Sequence, residues 1–219
     1  MFSETVLKMI GMGILETLYM TLFSSFIAYI IGLPVGILLV ITDKDGITPN
    51  STLNKIIGII VNVVRSVPFI ILLIAIMPVT RAIIGTTIGA SAVVIPLIVS
   101  SAPYIARIVE SSLKEVDKGV IEAAQSMGAS PFQIIFKVLI PEAKPSLIIG
   151  SAIAISTILS YTVMAGFVGG GGLGDIAIRY GYYRYQTDIM LVAVILLIII
   201  LQVIQELGSA ITKKSDRRL

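Results

Sequence analysis

Cysteine and histidine are both absent from the 219 residues of this chain. Without cysteine there is neither a disulfide framework nor a thiolate metal site. Without histidine the commonest general base and metal ligand is missing. Charge is scarce as well. Asp, Glu, Lys and Arg make up 13% of the residues, against about 25% in soluble domains. With 56% hydrophobic residues, there is too little polar surface to cover a water-soluble globule, so the chain reads as an all-α integral membrane protein. No pair of acids falls inside an apolar run, which leaves an intramembrane enzyme without chemistry. The net charge is +3. Its basic tail, Lys213, Lys214, Arg217 and Arg218, reads as a topology signal rather than a nucleic-acid patch. Residues 1–16 lack the basic region and small-residue cleavage site of a signal peptide. They read as an amphipathic lead-in.

A bilayer core of about 30 Å takes about 20 apolar residues of helix. Five runs qualify, giving spans at 17–41, 56–78, 82–106, 145–167 and 189–211 of a single transmembrane domain. Each must be helical, because lipid offers no partner to open backbone groups. An odd number puts the termini on opposite faces. Placing the C-terminus inside puts Lys44, Lys55, Arg107, Lys114, Lys118, Lys137, Lys144 and the four tail cations there, and leaves Lys8, Arg81, Arg179 and Arg184 outside. The positive-inside rule therefore predicts an outer N-terminus, with the 107–144 loop and the tail in the cytoplasm. Pro34, Pro68, Pro96 and Pro103 fall within the predicted spans and tend to kink them. Gly32-x3-Gly36 and Gly85-x3-Gly89 are spaced for close helix contact.

The charged insert at 107–144 reads as two short helices. Asp117 is placed to cap the first, along which Val120, Ala123, Ala124 and Met127 share a side at helical spacing. Gly128 tolerates the left-handed turn that stops it. Ser130 caps the second helix, with Pro131 at its first position. Phe132, Ile135, Phe136, Leu139 and Ile140 form an apolar stripe, and Pro141 and Pro145 end that helix. Two readings stay open from the pattern: a helix lying on the headgroups, or one docked into a partner's groove.

The insert reads EAA-x3-G-x9-V-x-I-P, from Glu122-Ala123-Ala124 through Gly128 to Pro141. It resembles the coupling loop of ABC importer permeases, with Val138 and Ile140 in place of the usual Ile and Leu. The stretch Ser160 to Asp175, then Ile178-Arg179-Tyr180-Gly181-Tyr182 and Gln186-Thr187-Asp188, is most similar to the methionine importer permeases. Arg65-Ser66-Val67-Pro68-Phe69 also resembles that group. The resemblance covers nearly the whole chain. It implies a small type I permease fold with cytoplasmic coupling helices, in a bacterial inner membrane. It implies ATP-driven uptake of methionine, in the L form and by extension the D form. The implied partners are a second copy of the chain, two ATPase subunits that bind ATP and magnesium, and an external substrate-binding lipoprotein. Glu122, Ala123, Ala124, Gly128 and Pro141 become the candidate ATPase-coupling residues. No cofactor or metal is expected on this chain, and no enzyme activity. Two alternatives remain: a permease for another small solute, and a channel or scaffold that works without an ATPase.

Gly169-x-Gly171-x2-Gly174 spells a dinucleotide fingerprint, but it follows an apolar span rather than a strand. No phosphate loop is present, so the chain has nothing with which to hydrolyse ATP. Gly169, Gly170, Gly171, Gly172 and Gly174 read either as a tightly packed turn or as an outer rim of the pathway. Arg65 lies mid-run, where a cation costs at least about 2.5–3.5 kcal/mol unless it faces protein or water. It is a candidate pathway residue, as are Met164 and Ser160. Met164 also reads as core filler. Ser156, Thr157, Ser160 and Thr162 are equally able to bond their own helix.

Overall fold

The computed structural model describes residues 4–215, so Arg217 and Arg218 of the basic tail lie outside the described residues. Every element among them is helical. Helix α1 runs from Glu4 to Ile41 without a break. At 1.5 Å per residue its 38 residues reach about 57 Å, far beyond a 30 Å hydrocarbon core. The separate lead-in expected at 1–16 is therefore corrected. Its described part is the first turns of α1, where Leu7, Lys8, Met9, Met12 and Leu15 favour helix and a Lys8–Glu4 ion pair ties the first turn at 2.7 Å. Pro34 is accommodated inside the helix.

The second expected helix, 56–78, is broken. Helix α2 (Ser51–Ser66) and α3 (Phe69–Ile84) meet at 105°. Pro68 removes a donor and excludes its predecessor from the helical region. Val67 accordingly sits at φ −83°, ψ 123°. Asn50 caps α2, its side chain accepting from the Leu53 amide at 3.0 Å. A further correction concerns Gly85 and Gly89. They form no helix contact pair but bound the turn into α4 (Ala90–Lys114), at φ +86° and +94°. Pro96 and Pro103 lie inside α4.

Helices α5 (Lys118–Ser126), α6 (Pro131–Ile134), a π-helical turn (Ile135–Leu139) and α7 (Ile140–Glu142) form a hairpin. Helix α8 (Lys144–Ala165) follows. A short turn then leads to α9 (Gly172–Ile176), a π-helical turn (Ala177–Tyr182) and α10 (Thr187–Ser215). Among the described residues, four helices are long and apolar enough to cross a membrane, or five spans if the bent α2–α3 pair counts as one.

Helices α1 and α4 form the central pair. A Cβ on Gly32 would stand 2.7 Å from the Ala102 carbonyl oxygen, and one on Gly36 2.6 Å from that of Ala106. The contacts advance together, so the two helices run the same way. In lipid, burying leucine gains little over leaving it in hydrocarbon. Close backbone approach at small residues supplies the packing instead. Leu97, Ile105, Val109 and Leu113 of α4 fill the seam, α8 closes on α4, and α10 packs on α8. Along α10, Leu191, Ile195, Ile198, Val203 and Leu207 are exposed, an apolar face of the kind that meets lipid.

Candidate functional site

The hairpin is built by its caps. Asp117 accepts from the Gly119 amide at 2.7 Å, starting α5. The helix ends where Gly128 takes φ +77° and the Ala129 amide reaches back to the Ala124 carbonyl at 3.1 Å. Ser130 and Gln133 form a reciprocal capping box: the Ser130 hydroxyl accepts from the Gln133 amide, and the Gln133 side chain accepts from the Ser130 amide at 2.8 Å. Pro131 occupies the first turn. Asp117, Gly128, Ser130 and Pro131 are residues that the sequence singled out; Gln133 was not among them.

The expected apolar faces are redistributed. Ala124 is the buried residue of α5, while Val120 is 42% and Met127 83% exposed. In the second arm Ile134, Ile135 and Leu139 turn inward, whereas Phe132 and Phe136 are 68% and 52% exposed, with ring centroids 4.4 Å apart. A π-helical turn completes this arm. The Ile140 amide donates to the carbonyl of Ile135, five residues back, which resets the register just before Pro141, a residue with no amide to offer. The helix thus runs through Pro141, contrary to expectation, and gives way only at Ala143 before Pro145 starts α8. Val120, Met127, Phe132 and Phe136 leave an apolar knob on the hairpin. Glu122, Ala123, Gly128 and Pro141 are exposed around it, and Ala124 lies beneath.

A second constellation was missed by sequence reasoning. Glu110, 9% exposed, accepts from Arg107 and from Lys114, the latter at 2.9 Å. Lys114 also meets Asp43 at 2.9 Å. Arg107 donates to Asn62 Oδ1 at 2.8 Å and to the Gly58 carbonyl at 3.4 Å, both on α2. The hydrogen bond from Lys114 to Asp43, and then that from the Lys44 amide, hold the Asp43 carboxyl below the usual carboxylate range. The signal was present: Arg107, Glu110 and Lys114 are spaced to share a helix face. Ending the span at residue 106 hid it. Beside this network a cleft of about 380 Å³ opens between the α1–α2 turn and α5, lined by Asp43, Asp45, Lys118, Glu122 and Gln125 among others.

The five glycines sit in a packed turn. Gly170, Gly172 and Gly174 are buried. The Gly172 amide donates to Glu16 at 2.6 Å and the Leu173 amide to Thr17 at 2.9 Å, so α1 grips the start of α9. Arg65 is not mid-helix. It is exposed in the last turn of α2, beside the elbow, 5.9 Å above the Tyr104 ring. Met164 and Ser160 lie one turn apart on the exposed side of α8, and the Ser160 hydroxyl donates to the Ser156 carbonyl of its own helix. The structure therefore does not gather Arg65, the hairpin and the glycine turn into one site.

Comparison with known proteins places this arrangement. Residues 32–219 match the family of binding-protein-dependent transport system inner membrane components. The probable D-methionine transport system permease protein MetI of Vibrio cholerae is 49% identical over 203 residues, covering 93% of this chain and 90% of its own. The methionine import system permease protein MetP of Bacillus subtilis is 45% identical, covering 93% and 91%. A permease chain from an inward-facing structure of the MetNI methionine ABC transporter superposes with a TM-score of 0.97 at 45% identity, covering 99% of this chain and all of that one. The chain belongs to the family of binding-protein-dependent transport system inner membrane components.

Proposed function

We propose that this chain is the membrane-spanning permease subunit of an ATP-driven importer for methionine, taking the L form and the D form. The substrate comes from relatives named for methionine or D-methionine that cover more than nine-tenths of the chain. The observation that carries the mechanism is the apolar knob on the hairpin. Met127 and Phe132 are 83% and 68% exposed on a segment whose charged flanks suit water. Apolar side chains held out on a capped, rigid hairpin fit a partner's groove. In this reading two copies enclose the path, with Arg65, Met164 and Ser160 along it. The N-terminus and the glycine turn lie outside, where a substrate-binding lipoprotein docks. The hairpin and C-terminus are cytoplasmic, and two ATPase subunits hold ATP and magnesium.

Glu122, Ala123, Ala124, Gly128 and Pro141 then have separate tasks. Glu122 is the charged handle beside the knob. Ala123 lets the partner come close, and Ala124 seats α5 on the body. Gly128 sets the angle between the arms, and Pro141 carries the second arm into α8. Movement of the ATPase reaches the spans because α4 enters the hairpin and α8 leaves it. Transport requires that the partner grip the hairpin differently in the two states of the cycle.

The test is uptake of labelled methionine by vesicles holding the permease with its ATPase, with other amino acids as competitors. ATP-dependent uptake competed by methionine alone is expected. Preference for a different solute would overturn the substrate, and failure to co-purify an ATPase would overturn the mechanism.

A further inference from the structure

We propose that the polar chain Asp43–Lys114–Glu110–Arg107–Asn62 is the linkage that carries movement of the hairpin into the α1–α2 turn and α2. The proposal rests on the hairpin being the ATPase seat. Three residues separate the end of α4 from the start of α5, so any tilt of the hairpin pulls first on Lys114. Lys114 faces two carboxylates, Asp43 in the α1–α2 turn and Glu110 one turn back, each at 2.9 Å. Glu110 is held between Lys114 and Arg107, with its side chain 11% exposed. Arg107 then reaches across to α2 through Asn62 and Gly58. A weaker tie runs parallel, Lys118 to Asp45 at 3.7 Å.

The rest of the α2 interface explains why these bonds matter. Val61 is the buried residue of α2, and most of its apolar side chains face outward. Apolar contact is non-directional and lets helices slide. Charge-assisted hydrogen bonds have fixed lengths and angles, so they transmit displacement. The carboxylate of Glu110 between two cations is the joint. Without it Arg107 would lose its carboxylate partner and Lys114 would keep only Asp43, so the two ends of the chain would no longer be joined.

The experiment uses the permease–ATPase complex in vesicles and reads methionine taken up per ATP hydrolysed. Asn62→Ala removes the α2 end of the chain at an exposed position. Glu110→Gln removes the joint with little change of shape. Arg107→Lys keeps the charge facing Glu110 but loses the forked reach to α2. Each complex is expected to assemble and hydrolyse ATP, with uptake per ATP reduced roughly 2- to 30-fold. A merely structural role would lower yield and melting temperature and leave that ratio alone. Unchanged uptake per ATP in Asn62→Ala and Glu110→Gln overturns the linkage. Should Glu110→Gln fail to fold, Asn62→Ala and the partly exposed Asp43→Asn decide the matter in the same way. The two layers fail differently. If Phe132→Ala/Phe136→Ala still captures the ATPase undiminished, the seat is lost and the linkage with it. If that variant loses the ATPase while Asn62→Ala transports normally, only the linkage falls.

Discussion

Gly128 has φ +77° and nothing within 4 Å of the place a Cβ would take, whereas a Cβ on Gly174 would lie 2.6 Å from the Cα of Val163. Gly128 is needed for its torsion, and Gly174 for the space it leaves. The same contrast runs through the surroundings. Around Gly174 the chain is sealed by its own α1 and α8, down to amides that donate to Glu16 and Thr17. Around Gly128 large apolar groups point outward with nothing on them. One region is finished by the chain itself, and the other leaves its apolar groups uncovered by the described residues.

Substitutions break the comparison in order of size. Gly174→Val forces a side chain into backbone and is expected to destabilise the folded protein by about 3 kcal/mol or more, read as lost melting temperature in detergent. Gly128→Val meets open space but an unfavourable torsion, at about 1–3 kcal/mol. The spans should insert normally while ATP-driven uptake is abolished. Normal uptake by a stably expressed Gly128→Val protein would count heavily against the hairpin's role. Ser130→Ala removes one half of the capping box, for about 1 kcal/mol of hairpin stability, seen as faster amide exchange confined to α6. The smallest effect is from pH. Because the Asp43 carboxyl is held below its ordinary value of about 3.9, its pairing with Lys114 is complete above that value and is lost only as pH falls through the depressed one. Methionine uptake should therefore show no titration from this pair across neutral pH, and Asp43→Asn should change its level without changing its pH profile.

Local chemistry was legible and long-range chemistry was not. Asp117, Gly128, Ser130 and Pro131 act on amides within a few residues, so their spacing alone located both arms of the hairpin. The faces of the second arm were misjudged, because Phe132 and Phe136 are as apolar as the buried Ile134, Ile135 and Leu139 and hydrophobicity alone does not separate them; the π-helical turn that carries the helix through Pro141 is likewise absent from a 3.6-residue count. Pro68 was seen as a kink but ended the helix outright, since Val67 adopts the extended backbone that a following proline favours. Arg65 looked buried by its position in an apolar run, and the break placed it at a helix end. Asp43 and Lys114 are seventy-one residues apart in sequence, and no pattern in either neighbourhood announces the other.

The corner between α2 and α3 has one more consequence. Pro68 fixes its own φ and narrows the choices of Val67, while Phe69, 5% exposed, stacks on Tyr161 with centroids 4.5 Å apart. Few soft torsions remain at the angle, so a push on one arm would be passed to the other about the Phe69–Tyr161 contact with α8. Each arm has 16 residues, about 24 Å of helix. Rotating one arm by a few degrees would therefore sweep the far tip of the other through about an ångström or more, in a direction turned from the original push by the 105° bend.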